Sequence, residues 1–327
     1  MTLPAKIMKT LALGTVGLCA LAGSAFAQAA YPSKPIKVVI GFPAGSGADI
    51  LGRYFVRKLE EQAKQPVIVD NRPGATSNIA IRYVKGAAPD GYTILFIANS
   101  NMAGSRYLFK NPGFDSLTDF TPIASFAQIT FIMVVSPKSP LNTLQNVVDH
   151  LKKKKDNLYG YTNQTAQLST ELFKQMTGSP AAPVAYKTAP DSMRDITDLQ
   201  LDFMIMDGTF AAGQVRSGAL KPIAVTTKVR SPTFPDTPTM QEGGIPGFEF
   251  APWWAAYLPV GAPEPVRAKL ESYFQAINTM PETADFLKSV GAIPQNDNGK
   301  EADARLRGEI PKWEPIVKAA GIQPQDE

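Results

Sequence analysis

Short runs of β-branched residues alternate with amphipathic segments along most of the chain, and this alternation restricts the possible folds more than any other feature. In the first repeat, a buried strand at residues 36–40 is followed by a glycine-rich turn at 41–47 and a helix from Ala48 onward. Apolar residues of that helix share one face, at Leu51, Phe55 and Leu59. Such repeats predict an α/β fold with mostly parallel sheets, covered by helices on both faces.

The same patterns place the remaining elements. Strands are predicted at 67–69, 92–98, 131–135, 158–161, 201–206, 222–226 and 253–260, and helices at 143–154, 191–199, 263–278, 282–290 and 300–319. A further helix follows the polar loop 162–165, has Leu168, Leu172 and Met176 on one face, and ends at Gly178. A short helix is predicted from Asp207 to Ser217.

Two of these strands divide the chain into lobes, because one leads into a second series of elements and the other returns to the first. We predict a signal segment at 1–27, a first lobe at 28–130 plus 255–327, a second lobe at 131–254, and hinge strands near 130–135 and 253–260. A double crossing of this kind creates a cleft at the carboxyl ends of the strands, where open α/β sheets bind ligands.

The first 27 residues have the composition of an export signal. Lys6 and Lys9 precede an apolar run that is too short to span a membrane, and small residues supply a cleavage site after Ala27. The only cysteine, Cys19, lies inside this segment. A cleaved chain therefore has no thiol for a disulfide, a metal site or nucleophilic catalysis, and we expect a soluble protein in the periplasm.

Composition argues against several other functions. Without Lys6 and Lys9, 31 of the 33 basic residues remain against 29 acidic ones, which is not the charge of a nucleic-acid-binding protein. The only histidine, His150, cannot build a zinc site alone, and no serine lies in a Gly-x-Ser-x-Gly elbow. We expect no cofactor, no metal, no nucleic-acid partner and no catalytic residues, although a catalytic pair of carboxylates is not excluded by sequence.

The turn after the first strand is the strongest candidate for ligand binding. A glycine-rich turn that opens a helix exposes backbone N–H groups at the positive end of the helix dipole, where anions bind. The candidate residues there are Phe42, Ala44, Gly45, Ser46 and Gly47, with Asp49 as a helix cap. The turn lacks the Lys-Ser/Thr pair of a P-loop and the third glycine of a dinucleotide-binding motif. A purely structural turn remains an equal alternative.

A second polar loop precedes a second helix in the other predicted lobe. Its candidate residues are Tyr161, Thr162, Asn163, Gln164 and Thr165, and two facing seats of this kind suit a diacid. The alternative is an ordinary capping loop in which Thr165 caps the helix. Further polar candidates at strand ends are Asn99, Ser100, Lys187, Thr188 and Asp207, and possible apolar walls are Tyr161, Phe210, Trp253 and Trp254.

Several motifs in fixed order carry a family resemblance. They are Tyr31-Pro32-Ser33-Lys34-Pro35-Ile36, Phe42-Pro43-Ala44-Gly45, Asn71-Arg72-Pro73-Gly74-Ala75, Ala88-Pro89-Asp90-Gly91-Tyr92-Thr93, Asp119-Phe120-Thr121-Pro122 and Arg230-Ser231-Pro232. With them the chain resembles the extracytoplasmic solute receptors of tripartite tricarboxylate transporters, the Bug receptors. The resemblance implies a type II periplasmic-binding-protein fold, two doubly wound lobes that close on a carboxylate, and delivery of that carboxylate to a membrane permease.

The resemblance also implies a binding role for two loops, 42–47 and 161–167, which adds Gln167 to the candidates. Tyr161, Gln164 and Gln167 stand where the family usually has a run of Gly, Ser and Asn that ends in Ser-His. Asp207 matches an acidic position that can meet an ammonium group in amino-acid binders. Tyr161 and Phe210 suggest an aromatic diacid such as terephthalate or phthalate. An exported sensing module and an exported hydrolase are the alternatives, and we expect a monomer.

Overall fold

The computed structural model describes residues 31–319 and 323–326, so the predicted signal at 1–27 lies outside the described residues. Contacts divide the chain after Ser33, and the unit Lys34–Glu327 contains all strands and helices of the described residues. The strands are β1 (Ile36–Ile40), β2 (Val67–Asn71), β3 (Thr93–Ala98), β4 (Phe120–Ile129), β5 (Phe131–Val135), β6 (Leu158–Tyr161), β7 (Ala182–Ala185), β8 (Phe203–Asp207), β9 (Lys221–Val225), β10 (Trp253–Pro259) and β11 (Ala292–Pro294).

The helices agree with most of the predicted segments and add two that were not predicted, α2 and α3. They are α1 (Gly47–Ala63), α2 (Asn78–Lys85), α3 (Asn99–Leu108), α4 (Leu144–Lys153), α5 (Gln164–Thr177), α6 (Ala189–Thr197), α7 (Gly208–Arg216), α8 (Glu264–Asn278), α9 (Pro281–Ser289) and α10 (Gly299–Ala319). No helix in the described part of the chain has the length and apolar character needed to cross a membrane.

The strands form two sheets, and both are mixed. The first has the order β11-β4-β10-β3-β1-β2, in which β1 is parallel to β2 and β3 while β10 is antiparallel to both of its neighbours. The second has the order β7-β6-β8-β5-β9, in which β5 is antiparallel to both of its neighbours. The prediction of mostly parallel sheets was wrong, because strands that carry the chain between the sheets run against the βαβ units.

The chain passes directly from one sheet to the other. Only Thr130, which is fully buried, separates β4 of the first sheet from β5 of the second. The chain returns through residues 226–252 to β10, where Trp253 pairs with Gln128 and Trp254 with Ala98 in the first sheet. The strand β4 has buried residues on both faces, which explains why no alternation of polar and apolar residues identified it.

Aromatic packing holds α1 on the first sheet. Phe55 of α1 packs on Phe126 of β4 with ring centroids 4.6 Å apart, and Phe126 stacks on Phe96 of β3 at 5.2 Å. The predicted face of α1 is buried as expected. In α5 the predicted face is only partly covered, since Leu168 is buried but Met176 is exposed. Because α5 also contacts α3 and α10, its buried face includes residues that a two-layer arrangement would leave outside.

Candidate functional site

The start of α1 is built by local hydrogen bonds. Ser46 is the N-cap, and its hydroxyl accepts the N–H of Asp49 at 3.3 Å and donates to the carbonyl of Pro43 at 2.7 Å. Gly45 has a φ of +79°, which favours glycine, and its N–H donates to Asp49 Oδ2 at 2.8 Å. The amide of Gly45 is therefore occupied. Within residues 31–319 and 323–326, the N–H groups of Gly47 and Ala48 have no protein acceptor.

Asp49 stabilises this turn, but it is not the helix cap that the sequence predicted, because Ser46 is the N-cap and Asp49 is the third helical residue. Its carboxylate also accepts from Arg53 Nε at 2.8 Å and from Asn71 Nδ2 at 2.9 Å. Burial would raise the pKa of Asp49, but the bonds from Arg53, Gly45 and Asn71 outweigh it and hold that pKa below its usual value. The side chain is almost fully buried, so it shapes the turn and does not face a ligand.

The start of α5 repeats this arrangement with different residues. The N-cap is Asn163, whose Oδ1 accepts the N–H of Ala166 at 2.9 Å. Thr165 does not cap the helix, because its Oγ1 is hydrogen-bonded to Ser100 Oγ at 2.8 Å. The N–H groups of Gln164 and Thr165 have no protein acceptor among the described residues.

Both helix starts border one cavity of about 220 Å³. Residues from both sheets line it: Phe42, Pro43, Ala44, Gly45, Ser46, Gly47, Ala48, Ala98, Phe131, Thr162, Asn163, Thr165, Lys187, Thr188, Ala189, Pro190, Asp207, Phe210, Pro252 and Trp254. A small cavity with free N–H donors at the starts of two helices can hold an anionic group at each of them.

Aromatic rings form much of the remaining wall. The rings of Phe42 and Trp254 are in contact, with centroids 5.2 Å apart, and Phe131 and Phe210 complete the apolar surface. An apolar surface between two anion-binding helix starts suits the carbon chain of a diacid.

Asp207 is the acidic group of this cavity. Its carboxylate caps α7 by accepting the N–H of Thr209 at 2.6 Å, and no ion pair to it occurs within the described residues. Burial raises the pKa of Asp207, although the N–H groups of Thr209 and Phe210 oppose the increase. A Cβ atom on Gly47 would lie 3.1 Å from Asp207 Oδ1, so the starts of α1 and α7 approach closely at this point.

Comparison with known proteins gives the family. The family model described as tripartite tricarboxylate transporter family receptor matches residues 51–322. The chain belongs to this family.

Similar proteins extend this result over nearly the whole receptor. A UPF0065 protein of Bordetella bronchiseptica is 30% identical over 321 residues, which cover 97% of this chain and 95% of that protein. Among solved structures, R. palustris Rpa4515 with adipate is 30% identical with a TM-score of 0.85, and the match covers 90% of this chain and 100% of that one. The periplasmic binding protein BugD is also 30% identical, with a TM-score of 0.83 and the same coverage. The predicted family and fold class are confirmed.

The structure brings most of the predicted binding residues of the receptor to this cavity. Those that line it are Phe42, Ala44, Gly45, Ser46, Gly47, Thr162, Asn163, Thr165, Lys187, Thr188, Asp207 and Phe210. The N–H and hydroxyl of Thr188 both donate to Asp191, at 2.9 and 2.8 Å. Lys187 is exposed and forms no ion pair among the described residues, so its ammonium group is available at the rim.

Three predicted residues, Tyr161, Gln164 and Gln167, line a neighbouring cavity of about 470 Å³ instead. Tyr161 and Phe210 therefore border different cavities, and the aromatic slot that their pairing suggested is not formed by these two rings. Sequence reasoning missed Thr76, Ser77 and Asn101, which also line this neighbouring cavity. The Pro73-Gly74 turn preceding Thr76 was the available signal.

Asn99 and Ser100 border neither cavity. They begin α3, where Asn99 Oδ1 accepts the N–H of Trp253 at 2.9 Å and Asn99 Nδ2 donates to the carboxylate of Glu309. Burial raises the pKa of Glu309, which also accepts from Trp253 Nε1 at 2.8 Å. Trp253 is thus part of the packing between β10 and α10, whereas Trp254 lines the ligand cavity.

The only histidine of the chain lies away from both cavities. His150 Nε2 pairs with Asp202 at 2.8 Å, and His150 is not among the residues that line either cavity. No cluster of three or more His, Cys, Asp or Glu suited to a metal ion occurs among the described residues.

Proposed function

We propose that the receptor captures a small dicarboxylate in the 220 Å³ cavity and passes it to the membrane subunits of a tripartite tricarboxylate-type transporter. One observation carries the proposal: at the starts of α1 and α5, the N–H groups of Gly47, Ala48 and Thr165 have no acceptor among the described residues, and these three residues line a single aromatic-lined cavity. One carboxylate is bound at each helix start, and the carbon chain lies against the rings of Phe42 and Trp254.

Neutral donors suit reversible capture. An ion pair buried with the ligand would require both charges to lose their hydration, whereas fixed N–H dipoles are already oriented when the ligand arrives. Lys187 at the rim adds a positive charge that attracts the anion while remaining in solvent. The binding of adipate by the 30% identical Rpa4515 supports a ligand of this class.

Export and partners follow from the same proposal. The segment 1–27 is removed after Ala27, the mature receptor works in the periplasm as a monomer, and the permease takes up the released ligand. The family description and the likeness to the periplasmic binding protein BugD support this location and role.

A ligand panel tests the proposal directly. Succinate, adipate, terephthalate and L-aspartate are titrated into the purified receptor by calorimetry, with thermal unfolding as a second measurement. A dicarboxylate that binds at micromolar strength raises the unfolding temperature by mass action and is recovered chemically unchanged. Release of a product would indicate a hydrolase, and the absence of binding by every acid would refute the proposal.

Mass spectrometry of ligand retained through purification identifies the natural compound. A terephthalate preference over adipate would support the aromatic diacid, and an adipate preference would exclude it.

A further inference from the structure

The C-terminal residues 323–326, which we call the tail, are tied to the end of α3. The N–H of Gln325 donates to the carbonyl of Leu108 at 2.8 Å, and the N–H of Lys110 donates to the carbonyl of Gln325 at 3.0 Å. These two bonds form a parallel bridge between Gln325 and Phe109. The bridge joins the tail to α3 in the manner of a short added strand.

The tail is not part of the core of the protein. All four of its residues are exposed. Asp326 forms an ion pair with Lys110 at 2.8 Å, but the two side chains are 81% and 62% exposed, so this pair contributes little to stability. Within the described residues, the tail forms no other hydrogen bond besides those of the bridge. The tail is therefore held in a fixed place without adding much to the stability of the fold.

The bridge places the tail at the neighbouring cavity of about 470 Å³. Leu108, Phe109 and Gln325 line this cavity together. Leu108 and Phe109 are each only 8% exposed, whereas Gln325 is exposed. A lining residue that is itself exposed lies where a cavity meets the solvent. The bridge therefore holds Gln325 at the opening of the neighbouring cavity.

The neighbouring cavity and the ligand cavity share much of one wall. The residues common to both are Phe42, Pro43, Thr162, Asn163, Thr165 and Lys187. Thr165 carries one of the N–H groups assigned to the ligand. A dicarboxylate bound at the start of α5 therefore borders both cavities.

Helix α3 connects the tail with the ligand-binding loop of α5. Near its start, Ser100 Oγ is hydrogen-bonded to Thr165 Oγ1 at 2.8 Å. At its end, the carbonyl of Leu108 accepts from the tail. One helix thus fixes the position of the tail relative to the α5 side of the ligand cavity.

We propose that the tail is a strap that covers the opening of the neighbouring cavity and slows the exchange of the dicarboxylate with solvent. The inference rests on the proposed function, because it requires a ligand at the start of α5. No residue of the tail lines the ligand cavity. Loss of the strap therefore speeds association and dissociation alike and leaves the affinity nearly unchanged. The match to the family model ends at residue 322, so the family description does not account for the tail.

A shortened receptor that ends at Ile322 tests the strap kinetically. Stopped-flow fluorescence follows binding, because Trp254 lines the ligand cavity and is one of three tryptophans in the chain. The probe is the tightest binder among succinate, adipate, terephthalate and L-aspartate. Since two backbone hydrogen bonds are lost, both rate constants should rise at least roughly fivefold, while Kd changes less than about twofold.

Two kinetic outcomes would overturn the strap. Unchanged rate constants in the shortened receptor would show that the tail does not limit exchange. A rise of the dissociation rate constant alone would make the tail part of the binding surface.

Point variants separate the bridge from the length of the chain. Gln325→Pro removes the N–H that donates to Leu108 and should behave as the shortened receptor does. Gln325→Ala is the matched control: it keeps both backbone hydrogen bonds, so its rate constants should stay within about twofold of the unaltered values. Unaltered rate constants in Gln325→Pro would overturn the role of the bridge.

Thiol labelling measures the opening without any ligand. The only cysteine of the chain is Cys19, so Gln167→Cys in a Cys19→Ser background places a single thiol on α5 in the lining of the neighbouring cavity. Its reaction with a small methanethiosulfonate should be at least roughly fivefold faster in the receptor that ends at Ile322. Gln200→Cys, which is exposed and outside both cavities, should react equally fast in both chains. Equal rates for Gln167→Cys would overturn the covering of the cavity.

The strap and the proposed function fail in different ways. If an acid binds with the same rate constants in both chains, only the strap is refuted. If no acid of the panel binds, dicarboxylate capture is refuted, and the labelling rates still decide whether the tail covers the opening.

Discussion

At the scale of single residues, the cavity combines donors for an anion with one partly buried carboxyl group. Asp207 borders the cavity, caps α7 and has no positively charged partner among the described residues. Burial raises its pKa. Because the folded pKa lies above the unfolded value, the stability associated with the neutral carboxyl is complete at low pH and is lost as the pH rises through the folded pKa.

Asp207→Asn should tighten dicarboxylate binding at pH 7 by about tenfold, or ~1.4 kcal/mol, because repulsion between Asp207 and the dianion disappears. An asparagine oxygen can still accept the N–H of Thr209, so the cap of α7 is preserved. The unaltered receptor should bind more tightly as the pH falls toward the folded pKa of Asp207, and the variant should lose this dependence. Calorimetry across the pH range measures both effects.

Asp156→Asn, which removes an exposed charge outside the cavity, is the matched control and should bind as the unaltered protein does. Weaker binding in Asp207→Asn would contradict the prediction. It would show that Asp207 contacts the ligand directly, as expected for the ammonium group of an amino acid.

At the scale of elements, α1 and α5 present the same ligand-binding feature with unrelated residues. Ser46 caps one helix and Asn163 caps the other, and in both the cap occupies the N–H of the third helical residue while the first two have no acceptor among the described residues. Both caps therefore leave two N–H groups available at the start of the helix. A serine cap and an asparagine cap therefore leave the same N–H groups available.

Two glycines test how the helices that carry the site are stabilised. Gly178 follows α5 with a φ of +65°, and an alanine there should lower the free energy of unfolding by about 1 kcal/mol. Gly213 lies inside α7, where an added Cβ would meet nothing within 4 Å. Gly213→Ala should therefore raise the free energy of unfolding by roughly 0.5–1 kcal/mol. Urea denaturation measures both changes, provided that the slope of the unfolding free energy against urea concentration stays the same. Changes of the same sign in the two variants would contradict the opposite roles given to these glycines.

At the scale of the whole molecule, ligand capture requires the two sheets to bring their helix starts together. Gly47 begins α1 on the first sheet, and it lies against Asp207 and Thr209, at the end of β8 of the second sheet and the start of α7. A Cβ atom added to Gly47 would lie 3.1 Å from Asp207 Oδ1 and 3.1 Å from Thr209 Cβ. Space at this single position limits how closely the helix starts approach.

Gly47→Val should therefore weaken dicarboxylate binding at least roughly tenfold, because the larger side chain holds the starts of α1 and α7 apart. Gly47→Ala should have an intermediate effect. Since Gly47 does not have a positive φ, the fold should lose less than about 1 kcal/mol. Calorimetry gives the affinity, and small-angle scattering should show a smaller ligand-induced contraction. Gly213→Ala serves as the control with unaltered affinity, and wild-type binding by Gly47→Val would refute the role of this contact.

Local sequence was sufficient for part of this description. The period of Leu51, Phe55 and Leu59, the glycine-rich turn before them and the ordered motifs predicted the first βαβ unit, the α/β class and the family, because each depends on residues close together in the chain. Most candidate residues that line the first cavity were predicted from two such local features, the glycine-rich turn after β1 and the polar loop before α5.

The tertiary structure alone decided the rest, because the partners involved are distant in sequence. Whether Thr165 caps its helix or bonds to Ser100, 65 residues away, depends on how α3 packs against α5. The antiparallel β10 pairs with β3 and β4 only after the chain has returned from the second sheet. The missing hydrogen-bond partners of Gln164 and Asn101 likewise follow from burial and not from residue type, so no local pattern could reveal them.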